Sequence, residues 1–337
     1  MIERKEKNMR VGIIGAGGIA VKMAETISYL EDVENYAIAS RNIEKAKEFA
    51  KINNISTAYG SYEELLADER VDLVYIALPH SHHHEWTLKA LNAGRNVLCE
   101  KAFAVNTAEA EEMISLAKEK KLLLAEAIWT RYMPSRKIID QLVSEGVIGE
   151  IKTISANLGY KISQNDRLTN PALAGGCLLD LTVYPLNFAS MVLGNEIKRF
   201  VSSCVYTDTG VDGQDSVMVE YTGGQMASLF TTMYELTDRR GIIYGTKGRI
   251  EVLNINNPEK ITVCTFDENG NEIIRNIEIP KQFTGYEYEV TACKRAIEAG
   301  LTECGEMPHS ETLEIMRQMD EIRKQFGIVY PTEHNLR

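Results

Sequence analysis

Three side chains in this 337-residue sequence have the types and settings for proton transfer to a carbonyl oxygen. Lys101 follows Glu100 at the end of the apolar run Asn96-Val-Leu-Cys99, so a parallel strand there would deliver the ammonium to the carboxyl edge of a sheet. Asp180 and Tyr184 stand in Gly175-Gly-Cys-Leu-Leu-Asp180-Leu-Thr-Val-Tyr184-Pro185, and on a helix their spacing puts them on one face. A phenol can give its proton to a developing alkoxide, and a nearby ammonium draws the phenol's pKa down from about 10 by favouring the phenolate. Taken singly, Glu100-Lys101 reads as a solvated pair and Asp180 with Tyr184 as a plain helix face. Their meaning depends on what the rest of the chain can bind.

The stretch from Val11 to Arg41 supplies that context. An apolar run, Val-Gly-Ile-Ile, feeds Gly15-Ala16-Gly17-Gly18-Ile19-Ala20, which fits Gly-x-Gly-x-x-Gly/Ala and precedes an amphipathic helix. Gly15 allows the tight turn, Gly17 lets a pyrophosphate approach the backbone, and Ala20 lets the helix pack closely with its N-terminus toward negative charge. The second strand, Tyr36–Ala39, ends in Ser40-Arg41 where a site preferring NAD(H) places a carboxylate for the ribose hydroxyl. A hydroxyl and a guanidinium suit a phosphate instead, which favours NADP(H) over NAD(H).

Alternating strands and helices continue from Arg41: strands at Val71–Leu78, Asn96–Cys99 and Leu122–Ala127, helices at about 44–52, 61–67, 82–93 and 107–120. Ser61-x-x-Glu64 is a capping box and Gly94 closes a helix. The pattern predicts a doubly wound parallel sheet, a dinucleotide-binding Rossmann domain over residues 9–127. Residues 128–337 are expected to form an α+β domain for substrate binding and oligomerisation, with a mostly antiparallel open sheet. Its signals are a helix from Pro134 to Gly146, a strand near 150–160, a helix at about 177–193, strands between Arg199 and Ile279, and helices at about 285–300 and 308–326.

Composition narrows the function. Hydrophobic content of 44% and charged content of 25% are those of a soluble globular chain. The net charge of −11 argues against broad nucleic-acid binding, so an anionic cofactor needs a local positive site. The charged N-terminal stretch lacks an apolar core and no apolar run approaches a membrane span, so neither secretion nor a membrane is expected. Six cysteines form no Cys-x-x-Cys pair, which fits a reduced cytoplasm.

From Met9 to about Gly194 the chain resembles the glucose-fructose oxidoreductase and inositol dehydrogenase (Gfo/Idh/MocA) family, through Gly-Ala-Gly-Gly-Ile-Ala, Val-Leu-Cys-Glu-Lys and Gly-Gly-Cys-Leu-Leu-Asp-Leu-Thr-Val-Tyr-Pro. Leu124-Ala-Glu-Ala-Ile-Trp129-Thr-Arg131-Tyr132, with Asp180-x-x-x-Tyr184, is most similar to its dimeric dihydrodiol dehydrogenase branch; many other relatives carry His at the position of Tyr184. The resemblance implies Lys101 and Tyr184 as the catalytic pair, aided by Asp180, and a substrate pocket lined by Trp129, Arg131, Asp180 and Tyr184. It also implies that Arg41 holds a 2′-phosphate, that Leu78, Pro79, His83, Glu100 and Lys101 join the cofactor site, and that the protein is a dimer or larger. Two positions depart from the family. Ala102 replaces the usual proline after the lysine and leaves Lys101 less preorganised, and Leu158 replaces an aromatic residue, so an aromatic substrate would be gripped less well.

Pro79-His-Ser-His-His-His84 invites a metal site, but adjacent side chains at a helix start diverge and no Cys or carboxylate set completes a shell. His83 matches the family's nicotinamide-facing histidine, and His80, His82 and His84 are expected to cap or be solvated. Gly245-Thr-Lys-Gly248 lacks the spacing of a phosphate loop and reads as a turn. Three other functions share some of these features. A sugar or polyol dehydrogenase with a different cofactor preference is the nearest, and a catalytically silent NADP-binding regulator would not need Lys101 and Tyr184 together. A methyltransferase would want an acid in place of Ser40-Arg41.

Overall fold

The computed structural model describes residues 8–331; residues 1–7 and 332–337, with most of the charged N-terminal stretch and the end of the chain, lie outside that description. Six strands form a wholly parallel sheet: β1 (Met9–Ile14), β2 (Val33–Ala39), β3 (Thr57–Tyr59), β4 (Leu73–Ile76), β5 (Asn96–Glu100) and β6 (Leu124–Ala127). Their order, β3-β2-β1-β4-β5-β6, reverses between β1 and β4, which makes the carboxyl ends of those strands the ligand crevice of a doubly wound sheet. Helices α1 (Gly18–Ile27), α2 (Ile43–Ile52), α3 (Tyr62–Ala67), α4 (His83–Asn92) and α5 (Thr107–Lys120) connect them. Covered on both faces, β4 reads as an unbroken apolar run, Leu-Val-Tyr-Ile, and all four residues are buried. Ser61 caps α3 as expected, with Glu64 N–H donating to Ser61 Oγ at 3.2 Å, but the Glu64 carboxylate reaches one residue further back than a capping box requires, where Oε2 accepts from Gly60 N–H at 3.0 Å.

The second sheet has eight strands in the order β14-β13-β12-β11-β7-β10-β9-β8. They are β7 (Ile151–Gly159), β8 (Ile197–Tyr206), β9 (Asp212–Tyr221), β10 (Met226–Thr232), β11 (Gly241–Gly245), β12 (Gly248–Leu253), β13 (Lys260–Phe266) and β14 (Glu272–Ile277). Only β7 and β10 pair in parallel. Helix α6 (Pro134–Ser144) precedes this sheet, α7 (Asp166–Thr169) follows β7, and α8 (Val183–Leu193) packs on β7 and β10. The opposite face leaves Val201, Val205, Met218 and Met226 exposed. Gly245-Thr-Lys-Gly248 is the turn between β11 and β12, as its spacing implied.

The structure departs from the sequence reading in three places. Strand β3 is three residues long, too short to show an alternating pattern. Pro171–Leu193 is long and apolar enough by composition to cross a bilayer, contrary to the expectation that no run would be, but most of that window is buried, as in the core helix of a globular unit. A boundary at 127/128 also misses a return of the chain. Residues up to Ala104, Ala108–Trp129 and Gln282–Thr312 form one compact unit; Val105–Thr107, Thr130–Lys281 and the chain from Leu313 form the other. Helix α9 (Glu287–Glu298) and the first turn of α10 (His309–Phe326) thus belong with the parallel sheet, where Lys294 pairs with Asp32 at 2.9 Å and His309 Nε2 meets Leu124 O at 2.8 Å.

Asp68, just past α3, holds the edge that presents Ser40 and Arg41. Its Oδ2 accepts from Tyr36 OH on β2 at 2.8 Å and from Tyr59 OH on β3 at 2.7 Å, and Arg70 forks onto both oxygens at 2.9 and 3.0 Å. The Arg70 hydrogen bonds, helped by both phenols, hold the Asp68 carboxyl well below the usual range despite its burial. A depressed carboxyl stabilises the fold above its unfolded pKa of about 4, and that contribution is lost as the pH falls. Asp68→Asn should therefore lower unfolding stability by about 2 kcal/mol at neutral pH, as for hydrogen bonds to charged groups, and by less near pH 3. Urea denaturation at the two pH values measures both; an equal deficit at each would refute the assignment.

Candidate active site

The first strand ends at Gly15, whose φ of +99° is open to glycine and strained for other residues. Its N–H donates to Ala39 O at 3.0 Å, and the Ala77 carbonyl occupies the space a Cβ would need. The loop thus joins the ends of β1, β2 and β4. Gly17 and Gly18 are exposed, and a Cβ on either would meet nothing within 4 Å. Gly17 caps α1 with no side-chain hydrogen bond, and no acid lies in the first turn. Uncapped N–H groups at an open helix N-terminus fit a pyrophosphate; Ala16 and Ile19 are half-exposed, and Ala20 is buried against the sheet.

Beyond β2, Ser40 is buried, with its Oγ accepting from Asn42 N–H at 3.3 Å, while the Asn42 side chain caps α2 by accepting from Glu44 and Lys45 N–H at 2.9 and 3.2 Å. Arg41 is exposed and lies by the Tyr62 hydroxyl and by His82, whose ring is pushed down by burial and then by the Arg41 charge. Ser81 Oγ sits 3.0 Å from His82 Nδ1. A cation beside a phenol and an imidazole, with no carboxylate at the strand end, suits a phosphate monoester.

His83 is fully buried, and both its ring nitrogens are directed at the backbone: Nδ1 is 2.8 Å from Ala102 O and Nε2 is 2.9 Å from Leu78 O. The sequence aimed this ring at a nicotinamide; in the structure it ties the loop after β4 to the turn after Lys101. His80 is buried edge-on to it rather than solvated, while His84 meets Glu112 at 2.8 Å. Leu78 and Pro79 stay half-exposed at the crevice. No three His, Cys, Asp or Glu side chains among the described residues converge as a metal site.

Glu100 is buried, and its Oε1 accepts from the Tyr75 hydroxyl. Its Oε2 accepts from the Lys101 N–H at 3.2 Å. Lys101 is half-buried, its peptide to Ala102 is cis, and Ala102 is sealed in the interior. Glu289, from α9, lies beside Glu100 with 0% exposure and no hydrogen-bond partner on either oxygen. Burial, then the Glu100 charge, pushes the Glu289 carboxyl far above the usual carboxylate range. Sequence reasoning missed Glu289. The signal was present: Glu289, Cys293 and Ala296 share the buried stripe of α9 at helical spacing. Trp129 stacks on Tyr286, also missed, at a centroid distance of 4.0 Å.

In the second unit, Asp180 sits in a π turn, Leu178–Thr182, that runs directly into α8 and Tyr184. Such turns mark functional positions in many helices. Asp180 and Tyr184 are both buried, at 6% and 8% exposure, and Arg167 NH2 donates to Asp180 Oδ1 at 3.1 Å. Arg167 was missed because α7 is a single turn behind Asn165. Arg131, expected in the pocket, is buried with Nε on Asn187 at 2.7 Å and NH2 on Ser190 at 3.1 Å, a tether to α8. Leu158 is fully buried in the sheet's core.

Comparison with known proteins places both units in one family fold. Residues 9–127 match the family model described as oxidoreductase family, NAD-binding Rossmann fold, and residues 137–251 match the GFO/IDH/MocA C-terminal domain. Trans-1,2-dihydrobenzene-1,2-diol dehydrogenase of Danio rerio is 35% identical, covering 96% of this chain and 98% of that one. The Homo sapiens enzyme of the same name is 31% identical, covering 96% and 99%. Among solved structures, KijD10, a 3-ketoreductase from Actinomadura kijaniata in complex with NADP and TDP-benzene, aligns with a TM-score of 0.85 at 26% identity, over 94% of this chain and 98% of that one. Levoglucosan dehydrogenase, in complex with NADH and levoglucosan, shares the fold with a TM-score of 0.85 at 18% identity, over 95% and 97%.

The glycine loop separates fold from binding. Gly17→Ala adds a methyl to open space at a φ of −96°, so its melting temperature should stay near the parent's while dinucleotide affinity falls by roughly tenfold or more. Gly15→Ala should lower both. Calorimetric melting and NADPH fluorescence titration read the two effects, and undiminished affinity in Gly17→Ala would place the pyrophosphate elsewhere.

Proposed function

The chain belongs to the Gfo/Idh/MocA oxidoreductase family, and from that premise we propose that it moves hydride reversibly between NADP(H) and a secondary alcohol, or its carbonyl, on a dihydrodiol or sugar. The observation that carries the reading is the crevice of the parallel sheet: an uncapped helix N-terminus over Gly17 and Gly18, with Ser40 and Arg41 at the end of β2. Full-length likeness to the dihydrodiol dehydrogenases, and KijD10's complex with NADP, support the substrate class and the cofactor.

The dinucleotide, when bound, supplies or takes up the hydride. The protein's own part is binding and proton transfer. N–H groups of the Gly15–Ala20 loop meet the pyrophosphate; Ser40 and Arg41 meet the 2′-phosphate, with the Tyr62 hydroxyl beside the guanidinium. Leu78, Pro79 and Glu100 border the reactive end, and His83 holds their loops in place. Tyr184 gives its hydroxyl proton to the substrate oxygen in reduction and takes one back in oxidation, and Lys101 favours the phenolate. Asp180, fixed by Arg167, and Trp129, fixed by Tyr286, bind substrate. With Leu158 sealed in the core, any aromatic contact falls to Trp129. We further propose a cytoplasmic homodimer or larger assembly through the exposed sheet face that bears Val201, Val205, Met218 and Met226.

A panel of aromatic dihydrodiols, sugars and polyols, followed by nicotinamide absorbance, tests the substrate class; no turnover of any member sinks the reading. Arg41→Ala should weaken NADPH binding by about tenfold, near the 1.5 kcal/mol expected for a charged hydrogen bond, and narrow the preference over NADH. Equal affinity of the parent for the two cofactors would contradict it. Tyr184→Phe should leave NADPH binding nearly intact while kcat collapses, because the hydroxyl acts in the transition state. Lys101→Met should raise the pH at which alcohol oxidation climbs, since losing a cation disfavours the phenolate. Parent-like turnover in Tyr184→Phe moves the proton role to another group.

A further inference from the structure

Two acids with no role in the chemistry above lie buried under the turn that carries Asp180. Asp212 and Asp215, both on β9, are 0% and 1% exposed. Asp212 Oδ2 accepts from Leu178 N–H at 2.5 Å, and Asp215 Oδ2 accepts from the Thr182 hydroxyl at 2.6 Å. Leu178 and Thr182 are the first and last residues of the π turn, so one strand grips it at both ends. Thr231 on β10 lies 2.6 Å from the same Thr182 hydroxyl, and the glycine at 176, with φ of +117°, leaves the space that Asp212 fills.

The second oxygen of each acid, Oδ1, is buried without a partner. Among the described residues, the titratable groups facing the pair are Cys177, Cys204, Tyr206 and Tyr330, with Asp180 beyond Cys177. Arg323 and Asp320 stand behind Tyr330. Cys177 spends its thiol proton on Gly213 O at 3.0 Å. Among the described residues no cation forms an ion pair with either acid. Two carboxylates so placed repel strongly in a medium of low dielectric, whereas one proton removes a charge and lets one acid donate to the other. Burial raises both carboxyls, and the Asp212 charge raises Asp215 further.

We propose that Asp212 and Asp215 share one proton and act as positioning residues, a clamp that holds both ends of the π turn and so aims Asp180 and Tyr184. The inference rests on the reading of those two side chains as substrate residues, but the clamp itself is observable without substrate. Acids raised in the folded state contribute fully at low pH and lose that contribution as pH rises through the folded pKa. Alkaline pH should therefore loosen the turn first.

Asp215→Asn keeps an acceptor for Thr182 and a permanent donor toward Asp212. Hydrogen exchange of the peptide covering the π turn and α8, corrected for intrinsic rate, is followed from about pH 6 to about pH 10 in parent and variant without ligands. The parent should lose protection there by roughly tenfold or more, and Asp215→Asn should not; the alkaline fall of kcat should move to higher pH in the same variant. Asp215→Leu removes the acceptor and should be poorly protected at every pH, with kcat down roughly tenfold or more and the KM for NADPH within about twofold. If Asp215→Leu does not fold, Thr182→Val removes the same hydrogen bond from the other side. Parent protection that is flat with pH, or an Asp215→Asn profile that tracks the parent, overturns the shared proton. Parent-like kcat in a variant whose turn is loosened overturns the positioning role. A parent that turns over no substrate while the exchange results hold counts against the functional reading, not the clamp.

Discussion

Gly15 is the point on which the parallel sheet's crevice depends. Its N–H is bonded to the last carbonyl of β2, and the Ala77 carbonyl, just past β4, fills the place of a side chain. Three strand ends are therefore drawn together by one residue without a Cβ. Because β1 must stop there, α1 starts at Gly18 with its first N–H groups uncapped, and Ser40-Arg41 and Leu78-Pro79 emerge on either side. A bulkier residue at position 15 would separate those ends, and the anion site would go with them.

That half of the molecule was legible because each of its elements carries a strong local signal. Apolar runs of four to six residues mark strands buried on both faces, and Ser61 with Glu64 marks a helix start. The glycine loop, the strand end at Arg41 and the Glu100-Lys101 edge follow from order along the chain, since a parallel sheet places all strand ends on one side. The roles of the histidines were not legible from order. Whether an imidazole faces a ligand or a carbonyl depends on loop geometry, and the ring of His83 is taken up by Leu78 and Ala102.

The return of residues 282–312 to the first unit was invisible for a related reason. An amphipathic helix states that one face will be buried, but not against what. Helix α9 looks like the end of the second domain, yet Lys294 reaches Asp32 and Thr284 meets Thr26, contacts whose partners lie about 260 residues earlier. Likewise the i, i+4 spacing of Asp180 and Tyr184 was readable, while the π turn beneath it was not. The turn owes its hold to hydrogen bonds from a strand some thirty residues downstream, to which helix periodicity is blind.

The buried acids share a logic that connects stability with chemistry. Glu289 lies beside Glu100, which neighbours Lys101; Asp212 and Asp215 lie under the turn that carries Asp180. Glu289, Asp212 and Asp215 each take a carboxyl out of water, and Glu289 leaves both of its oxygens without a partner, at a cost of roughly 1–3 kcal/mol per orphaned group. A core built only for stability would hold leucine at these positions, because apolar replacements of buried polar groups are often neutral or stabilising. What a carboxyl offers that leucine cannot is a directional acceptor and a proton whose presence depends on its neighbour. Glu289 sets a second acid against Glu100, whose Oε2 holds the Lys101 N–H; beneath Asp180 the two acids grip both ends of a turn that an apolar contact would leave free to slide. Both placements sacrifice stability under a residue whose position matters, which is where departures from the simplest core are expected to gather.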